Sequence, residues 1–469
     1  MKYNKKIIAL SFIIILFSSA LVSAISIKSN NIKKPIFGKV QEDNISEWTV
    51  MYYMCCDSNM QAYAEPLLEN LSKIGSKTDF NLVALYDGVP SNDSKIIYFD
   101  KSGERVNLNN DIGWPAEVDT SNPVTMEEFV KDMMKYYPAE HYAVIYYGSA
   151  GTGWQVFCVH DTYGTQNNKI KKGNIGFSTP RLGEAFKNIT KNGEDKIDVI
   201  YTSCAMNTIE MAYEVSPYVD YCLGTQDCLS SKIVYRYYES VWELYNNTVM
   251  SPEDFSAYTT EILDPISFYY HEEWLGGLKP LNKFFNKLSF KKLQTIKHYD
   301  NIGVINNSNI NTLLYSLDEL SRFLIVNIQD EEILNDISYA RSKSRESSKC
   351  YAKPGSKLLS ILHYIYAFNF TAYNGVVDLY DFCENLKEKT DNIFLEKYCE
   401  GVLVNIDKTV PHIKKVETDP IHGLNIYFPA EKEVYNKYII SGEMPCAYEE
   451  LAISEDTMWD EFVKAYLGI

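Results

Sequence analysis

Tyr142-Ala-Val-Ile-Tyr-Tyr147 runs directly into Gly148-Ser-Ala-Gly-Thr-Gly153-Trp154, and further along Ile197-Asp-Val-Ile-Tyr201 runs into Thr202-Ser-Cys204-Ala-Met206. Each begins as an unbroken apolar run of strand length, the pattern of a strand buried on both faces. Each ends in small residues. Three glycines after the first run let the backbone turn sharply and approach a ligand closely. The second run sets Cys204 at a strand end, just ahead of a helical pattern from Asn207 to Val215, where a helix N-terminus favours the thiolate.

The neighbouring sequence repeats the strand–helix theme. Trp48–Cys56 and Phe80–Tyr86 are further buried strands, Tyr218–Gly224 is a fifth, and Ile96–Phe99 is a short peripheral one. Between them, Asp57–Ile74 has helical apolar spacing at Met60, Ala64, Leu67, Leu68 and Leu71. Thr125–Tyr137 reads as a helix capped by Thr125, with Glu127 and Glu128 in its first turn. Thr179-Pro180 opens another, to about Thr190. Buried strands alternating with helices specify an α/β fold with a mainly parallel sheet, whose sites lie at the carboxyl ends of its strands. Parallel neighbours would bring the glycine loop and the Cys204 loop side by side.

From Pro252 the pattern becomes largely helical, with stretches at Pro252–Leu263, Ile310–Val326 and Val376–Leu386. Ile333–Pro354 is polar and partly basic and reads as a connector. One strand is expected at Gly423–Phe428, bounded by Pro429.

At the N-terminus, Lys2, Lys5 and Lys6 precede an apolar run from Ile7 to Val22, and Val22-Ser23-Ala24 is a small-residue cleavage pattern. This is the layout of a signal peptide; the alternative is an uncleaved anchor, because the run is nearly long enough to span a bilayer. Residues 25–45 form a polar linker. Export implies a secreted or cell-surface protein, with no membrane contact beyond that segment. The formal net charge of −17 argues against nucleic acid, which demands a basic surface. Ten cysteines follow no framework spacing. Cys55-Cys56 reads as buried thiols, and Cys222 and Cys228 are close enough to pair in an oxidising compartment. No metal-ligand spacing is legible.

Order and spacing of these motifs resemble the clostripain family of caspase-like cysteine peptidases. In that family one strand ends in His-Gly-x-Gly-Trp and a later one in Asp-Ala-Cys-x-Met; here the matching runs are Ala150-Gly151-Thr152-Gly153-Trp154 and Thr202-Ser203-Cys204-Ala205-Met206. Trp48-Thr-Val50 with Asp57-Ser-Asn59, Asp378-Leu-Tyr-Asp381-Phe382, and Gly423-Leu-Asn-Ile-Tyr-Phe-Pro429 extend the likeness to the C-terminus. The resemblance implies a caspase-like α/β/α sandwich: a core over residues 46–250, then a largely helical region, 251–469, that returns the strand 423–428 to the sheet.

It also implies roles. Cys204 matches the nucleophile, and the N–H of Gly151 an oxyanion donor. Thr202 stands where the family has an aspartate that helps bind a basic side chain. Apart from the resemblance, Asp227 follows the fifth strand and is a candidate to line the pocket from a third loop; the plainer reading is a solvated loop carboxylate. Ala150 stands at the position of the catalytic histidine. Alanine moves no proton, and losing general acid–base help costs on the order of 10²- to 10⁴-fold. The expected function is therefore a peptide-binding pseudopeptidase with protein or peptide ligands. The alternatives are an active cysteine endopeptidase served by another base such as His160, beside Asp161, and a surface adhesion protein. No cofactor is expected; calcium enters only because some members of the family depend on it.

Overall fold

The computed structural model describes residues 45–57, 60–148, 153–155, 157, 176–202, 205–227, 231–262, 267–268, 298–299, 301–346, 375–415, 417, 419–435 and 446–469. Its strands of three residues or more are β1 (Ser46–Cys55), β2 (Phe80–Asp87), β3 (Lys95–Phe99), β4 (Arg105–Asn107), β5 (Ala139–Gly148), β6 (Ile197–Tyr201), β7 (Val219–Gly224), β8 (Ile302–Asn306), β9 (Val376–Asp378), β10 (His412–Lys414) and β11 (Asn425–Tyr427). A nine-stranded sheet runs in the order β10-β8-β7-β6-β5-β1-β2-β3-β4. Its five central strands, β7 to β2, are parallel; β3, β4, β8 and β10 extend its two edges antiparallel. The apolar runs fall in the centre because only strands covered on both faces need be apolar throughout.

Helices cover both faces. On one, Val50, Tyr52, Met54, Ala143, Ile145 and Tyr201 pack with Leu67 and Leu71 of α1 (Gln61–Ile74). On the other, Tyr53 meets Phe129 of α2 (Pro123–Tyr136), which lies with α3 (Thr179–Ile189) and α4 (Ile209–Val215). The first face is completed by α5 (Ser231–Asn246) and α6 (Pro252–Ile262) through Tyr237, Val241 and Phe255. The C-terminal region contributes α7 (Ile310–Val326), α8 (Glu331–Lys343), α9 (Leu379–Lys389), α10 (Ile393–Thr409) and α11 (Trp459–Leu467). Residues 45–469 form one compact unit.

Several expectations are corrected. The strand near 423–428 is shorter, and it pairs with β9 in a separate two-stranded sheet. Its flank is held elsewhere: the Gly423 N–H donates to Gln226 Oε1 and the Asn425 N–H to the Asn207 carbonyl, so it lies over the loops at the carboxyl edge. The C-terminal strands that do join the large sheet are β8 and β10. Val376–Leu386 divides into β9 and α9, because the Asp378 carboxylate accepts the Asp381 N–H and caps a new helix. Helix α2 is capped by Asn122, not Thr125, since Pro123 takes the first helical position.

The supposed connector at Ile333–Pro354 is helix α8 as far as Lys343; residues 347–354 lie outside the described residues. Asp330 caps α8, Glu331 and Glu332 fill its first turn, and Ile333, Ile337 and Ala340 face inward. Cys222 is a free, buried thiol near the Asn307 amide, and burial pushes its pKa up to about 12. Cys55 and Cys56 are also buried and form no disulfide.

Candidate functional site

Strands β5 and β6 are adjacent and parallel, in register from Ala143↔Val199 to Ile145↔Tyr201. The glycine loop and the cysteine loop therefore leave the same edge of the sheet. Ala150, Gly151, Ser203 and Cys204 lie outside the described residues, as does His160. Their flanks are described and they meet. Gly153 has φ +61°, a left-handed conformation that suits glycine. A Cβ there would sit 3.6 Å from the Ala205 carbonyl oxygen. Next to it Trp154 is fully buried, its ring 5.0 Å from Tyr427 and 5.1 Å from Tyr448. The Thr179 hydroxyl donates to the Trp154 carbonyl at 2.5 Å, fastening this loop to the start of α3.

The cysteine loop is fastened from the far side. The Ala205 N–H donates to the Asp227 carbonyl at 2.7 Å and to the Thr225 hydroxyl at 3.2 Å. The Thr225 hydroxyl in turn donates to the same Asp227 carbonyl. Ala205 itself has φ +53°, a conformation costly for any residue with a Cβ and imposed here by these bonds. Loops after β5, β6 and β7 thus converge.

Thr202 is buried, and its hydroxyl donates to the Leu223 carbonyl at 3.0 Å. That hydroxyl closes the space beside Gly224, where a Cβ would lie 2.2 Å from Thr202 Oγ1. Asp227 is likewise buried. Its carboxylate receives both guanidinium arms of Arg345, Nη1 to Oδ1 at 2.7 Å and Nη2 to Oδ2 at 2.5 Å. Arg345 also lies 3.3 Å through Nε from Asp419, whose pKa is raised mainly by burial, against the lowering effect of Arg345. No local signal in the sequence pairs Arg345 with Asp227, which lies more than a hundred residues earlier.

Beside Asp227, Gln226 ties the core to the C-terminal region. Its Nε2 donates to Asp378 at 2.7 Å and Asn425 at 2.8 Å, and its Oε1 accepts the Gly423 N–H. Asp378 also accepts the His422 N–H, and the His422 ring stacks on Tyr380. His141 sits at the opposite end of β5, bound to Asp198. Beneath the cysteine loop Glu210 is fully buried; Oε1 accepts the Tyr427 N–H and the Tyr448 hydroxyl, and burial raises its pKa to about 7.

Among the described residues one group, Asp87, Asp93 and Glu117, brings carboxylate oxygens within 4.8 Å of one another. Protein donors already engage it: Ser94 and Thr120 on Asp87, the Gly88 N–H on Asp93, the Asn92 N–H on Glu117.

A sequence model described as the clostripain family matches residues 52–466. The chain belongs to the clostripain family. Among solved structures, it is similar to an inactive zymogen C11 protease from Parabacteroides distasonis, at 14% identity, with a TM-score of 0.54 over 88% of this chain and 98% of the other. It is also similar to a secreted C11 cysteine protease from Bacteroides thetaiotaomicron in complex with an irreversible peptide inhibitor, at 14% identity and TM-score 0.51, over 84% and 97%. At such identity these two show the fold, the caspase-like sandwich of the family. The chain matches no curated protein. No helix among the described residues is long and apolar enough to cross a membrane.

Proposed function

We propose that this clostripain-family protein is exported and binds peptides in the family cleft while cutting them weakly or not at all. The reading is carried by Ala150, which the motif resemblance sets at the position of the family histidine. A thiol without a base keeps a pKa of about 8.5 and is only a few per cent thiolate at neutral pH. It also has no acid to protonate the leaving amine. Two features of the surroundings support the reading. The Thr202 hydroxyl, at the family's aspartate position, is spent on the Leu223 carbonyl, and Asp227 is neutralised by a side chain of this protein. Export is supported by the leader-like N-terminus and by the description of one similar structure as secreted.

The deciding measurement is the rate at which a neutral alkylating reagent modifies Cys204 between pH 5 and 9, in the wild type and in Ala150→His. The wild-type rate is expected to follow a pKa of about 8.5, and the variant a lower one. A wild-type thiolate already formed well below neutrality, together with turnover of a peptide, would sink the proposal and make His160 the residue to replace next.

A further inference from the structure

We propose that Glu210 is a positioning residue for the glycine loop: its carboxyl braces the aromatic socket of Trp154 while protonated and slackens it once ionised. The proposal rests on the reading of that loop as a wall of the peptide cleft only for its consequence there, a cleft regulated by pH.

Three observations join Glu210 to the loop. Its Oε1 accepts the Tyr427 N–H at 2.7 Å and the Tyr448 hydroxyl at 2.9 Å. One oxygen thus gathers β11 and the turn at Tyr448–Glu450. The rings of the same two tyrosines lie 4.9 Å apart and form the socket of Trp154, at 5.0 and 5.1 Å from its ring. Gly153, next to Trp154, reaches α4 directly: a Cβ there would sit 3.8 Å from Thr208 Cγ2, and Thr208 caps the helix on which Glu210 stands.

The brace depends on a proton. Glu210 is 1% exposed, and both of these bonds come from neutral groups. Oε2 has no hydrogen-bond partner, a poor place for the charge of a carboxylate. Burial raises the pKa to about 7, opposed in part by the Tyr427 N–H, the Glu210 N–H and the Tyr448 and Thr208 hydroxyls. Tyr427 faces the carboxyl from β11 and Tyr448 from its turn. Behind Tyr448, Asp460 of α11 adds negative charge and is paired with Lys464. On α4 itself, Glu214 is bonded to the Ala452 N–H beside Gly183 of α3, and Tyr213 to Asp456. Asp318 of α7 accepts the Met458 N–H.

An ionised Glu210 is relieved by water, which the closed socket excludes. The open socket releases the proton at an ordinary carboxyl pKa of 4.5, the closed one at about 7. Below about pH 4.5 both forms hold the proton and the socket is tightest. Between about 4.5 and 7 the ratio of open to closed rises about tenfold per pH unit, and above about 7 it levels off.

The test is fluorine NMR of the full chain labelled with fluorotryptophan. The chain has six tryptophans, and Trp154→Phe identifies the Trp154 resonance. Its change in shift between light and heavy water reads exposure to solvent, which a nearby charge alone does not alter. In the wild type this isotope shift is expected to be about twofold larger at pH 8 than at pH 5, or more. In Glu210→Gln, which keeps the accepting oxygen and cannot ionise, it is expected to be the same at both. A Trp154 equally shielded at both pH values in the wild type, or an equal change in Glu210→Gln, overturns the proposal. If Glu210→Gln does not fold, Tyr448→Phe takes its place: it deletes one of the two bonds and must expose Trp154 at pH 5 more than the wild type for the proposal to stand.

These readings use no peptide, so they are independent of the peptide-binding reading, which the alkylation of Cys204 tests. Loosening of the socket as expected, with a bound peptide held equally at pH 5 and pH 8, establishes the positioning role and counts against the loop as a wall of the cleft.

Discussion

The N–H of Ala205 donates to the carbonyl of Asp227 at 2.7 Å, joining the loop of the expected nucleophile to the loop of the expected specificity residue. Thr225 reinforces the joint, its hydroxyl accepting from the first residue and donating to the second. Thr225→Val keeps the shape and deletes the hydroxyl at a fully buried position. It should cost about 1–2 kcal/mol, because the Ala205 N–H loses one of its acceptors. Urea unfolding measures the loss. The loosened loop should also raise the alkylation rate of Cys204 at fixed pH; an unchanged rate would mean that the Asp227 carbonyl alone sets the loop.

Gln226 tests how the C-terminal region is attached. Its amide nitrogen faces Asp378 and Asn425, while its oxygen faces the Gly423 N–H. Gln226→Glu is nearly isosteric but sets a carboxylate against the Asp378 carboxylate inside the protein. A loss of about 3–5 kcal/mol is expected, the size seen when a buried polar arrangement is left with an uncompensated charge. Stability within about 1 kcal/mol of wild type at pH 7 would show that water reaches this junction.

Gly224 closes β7 against the site. A Cβ there would lie 2.2 Å from Thr202 Oγ1 and 2.5 Å from Asn207 Oδ1. Gly224→Ala therefore has to displace both side chains and should cost about 1–3 kcal/mol. Thr202→Ala relieves one of the two clashes, so the double variant is expected to lose less than the sum of the single losses. Strict additivity would place the strain at Asn207 instead.

The central sheet was legible because β1, β2, β5, β6 and β7 each carry a largely apolar run that is buried, although Asp198 and Asp220 interrupt β6 and β7 and the Glu140-His141 start of β5 is partly exposed. The edges were not. His412–Lys414 is a three-residue strand of intermediate burial, with no periodicity to read, and Ile302–Asn306 takes its antiparallel place from β7 rather than from its own composition. In α8 the charges concealed the stripe of Ile333, Ile337 and Ala340, and Arg341 and Arg345 fall in the stretch read as a polar, partly basic connector. Both are engaged inside: Arg341 donates to the Phe428 carbonyl at 2.5 Å, and Arg345 to Asp227. Ion pairs between distant segments leave no mark on local pattern. Motif spacing located Cys204 and the glycine loop, while nothing in it could indicate what the Asp227 carboxylate touches.

Glu210 makes stability fall as pH rises. Burial raises its folded pKa from 4.5 to about 7, partly opposed by the Tyr427 N–H and the Tyr448 hydroxyl. Below about pH 4.5 the folded and unfolded states both hold the proton, and the contribution is fully present. Between about 4.5 and 7 the unfolded chain releases the proton while the folded one keeps it, so stability drops by about 1.4 kcal/mol per pH unit. Above about 7 both states are ionised and the loss levels off, at a total on the order of 3 kcal/mol. Glu210→Gln keeps the acceptor for Tyr427 and Tyr448 but cannot ionise. Its oxygen retains both bonds, whereas its new NH2 occupies the place of Oε2, which has no hydrogen-bond partner, so the variant is expected to be less stable than wild type at acid pH. Its stability should nevertheless vary with pH less steeply. Urea unfolding of both proteins at pH 4.5 and pH 8 isolates the residue from every other titrating group, because those are common to the pair. A wild-type loss across this interval exceeding that of the variant by roughly 3 kcal/mol is the expected result; equal losses would mean that the buried carboxyl ionises no differently in the folded protein than in the unfolded chain.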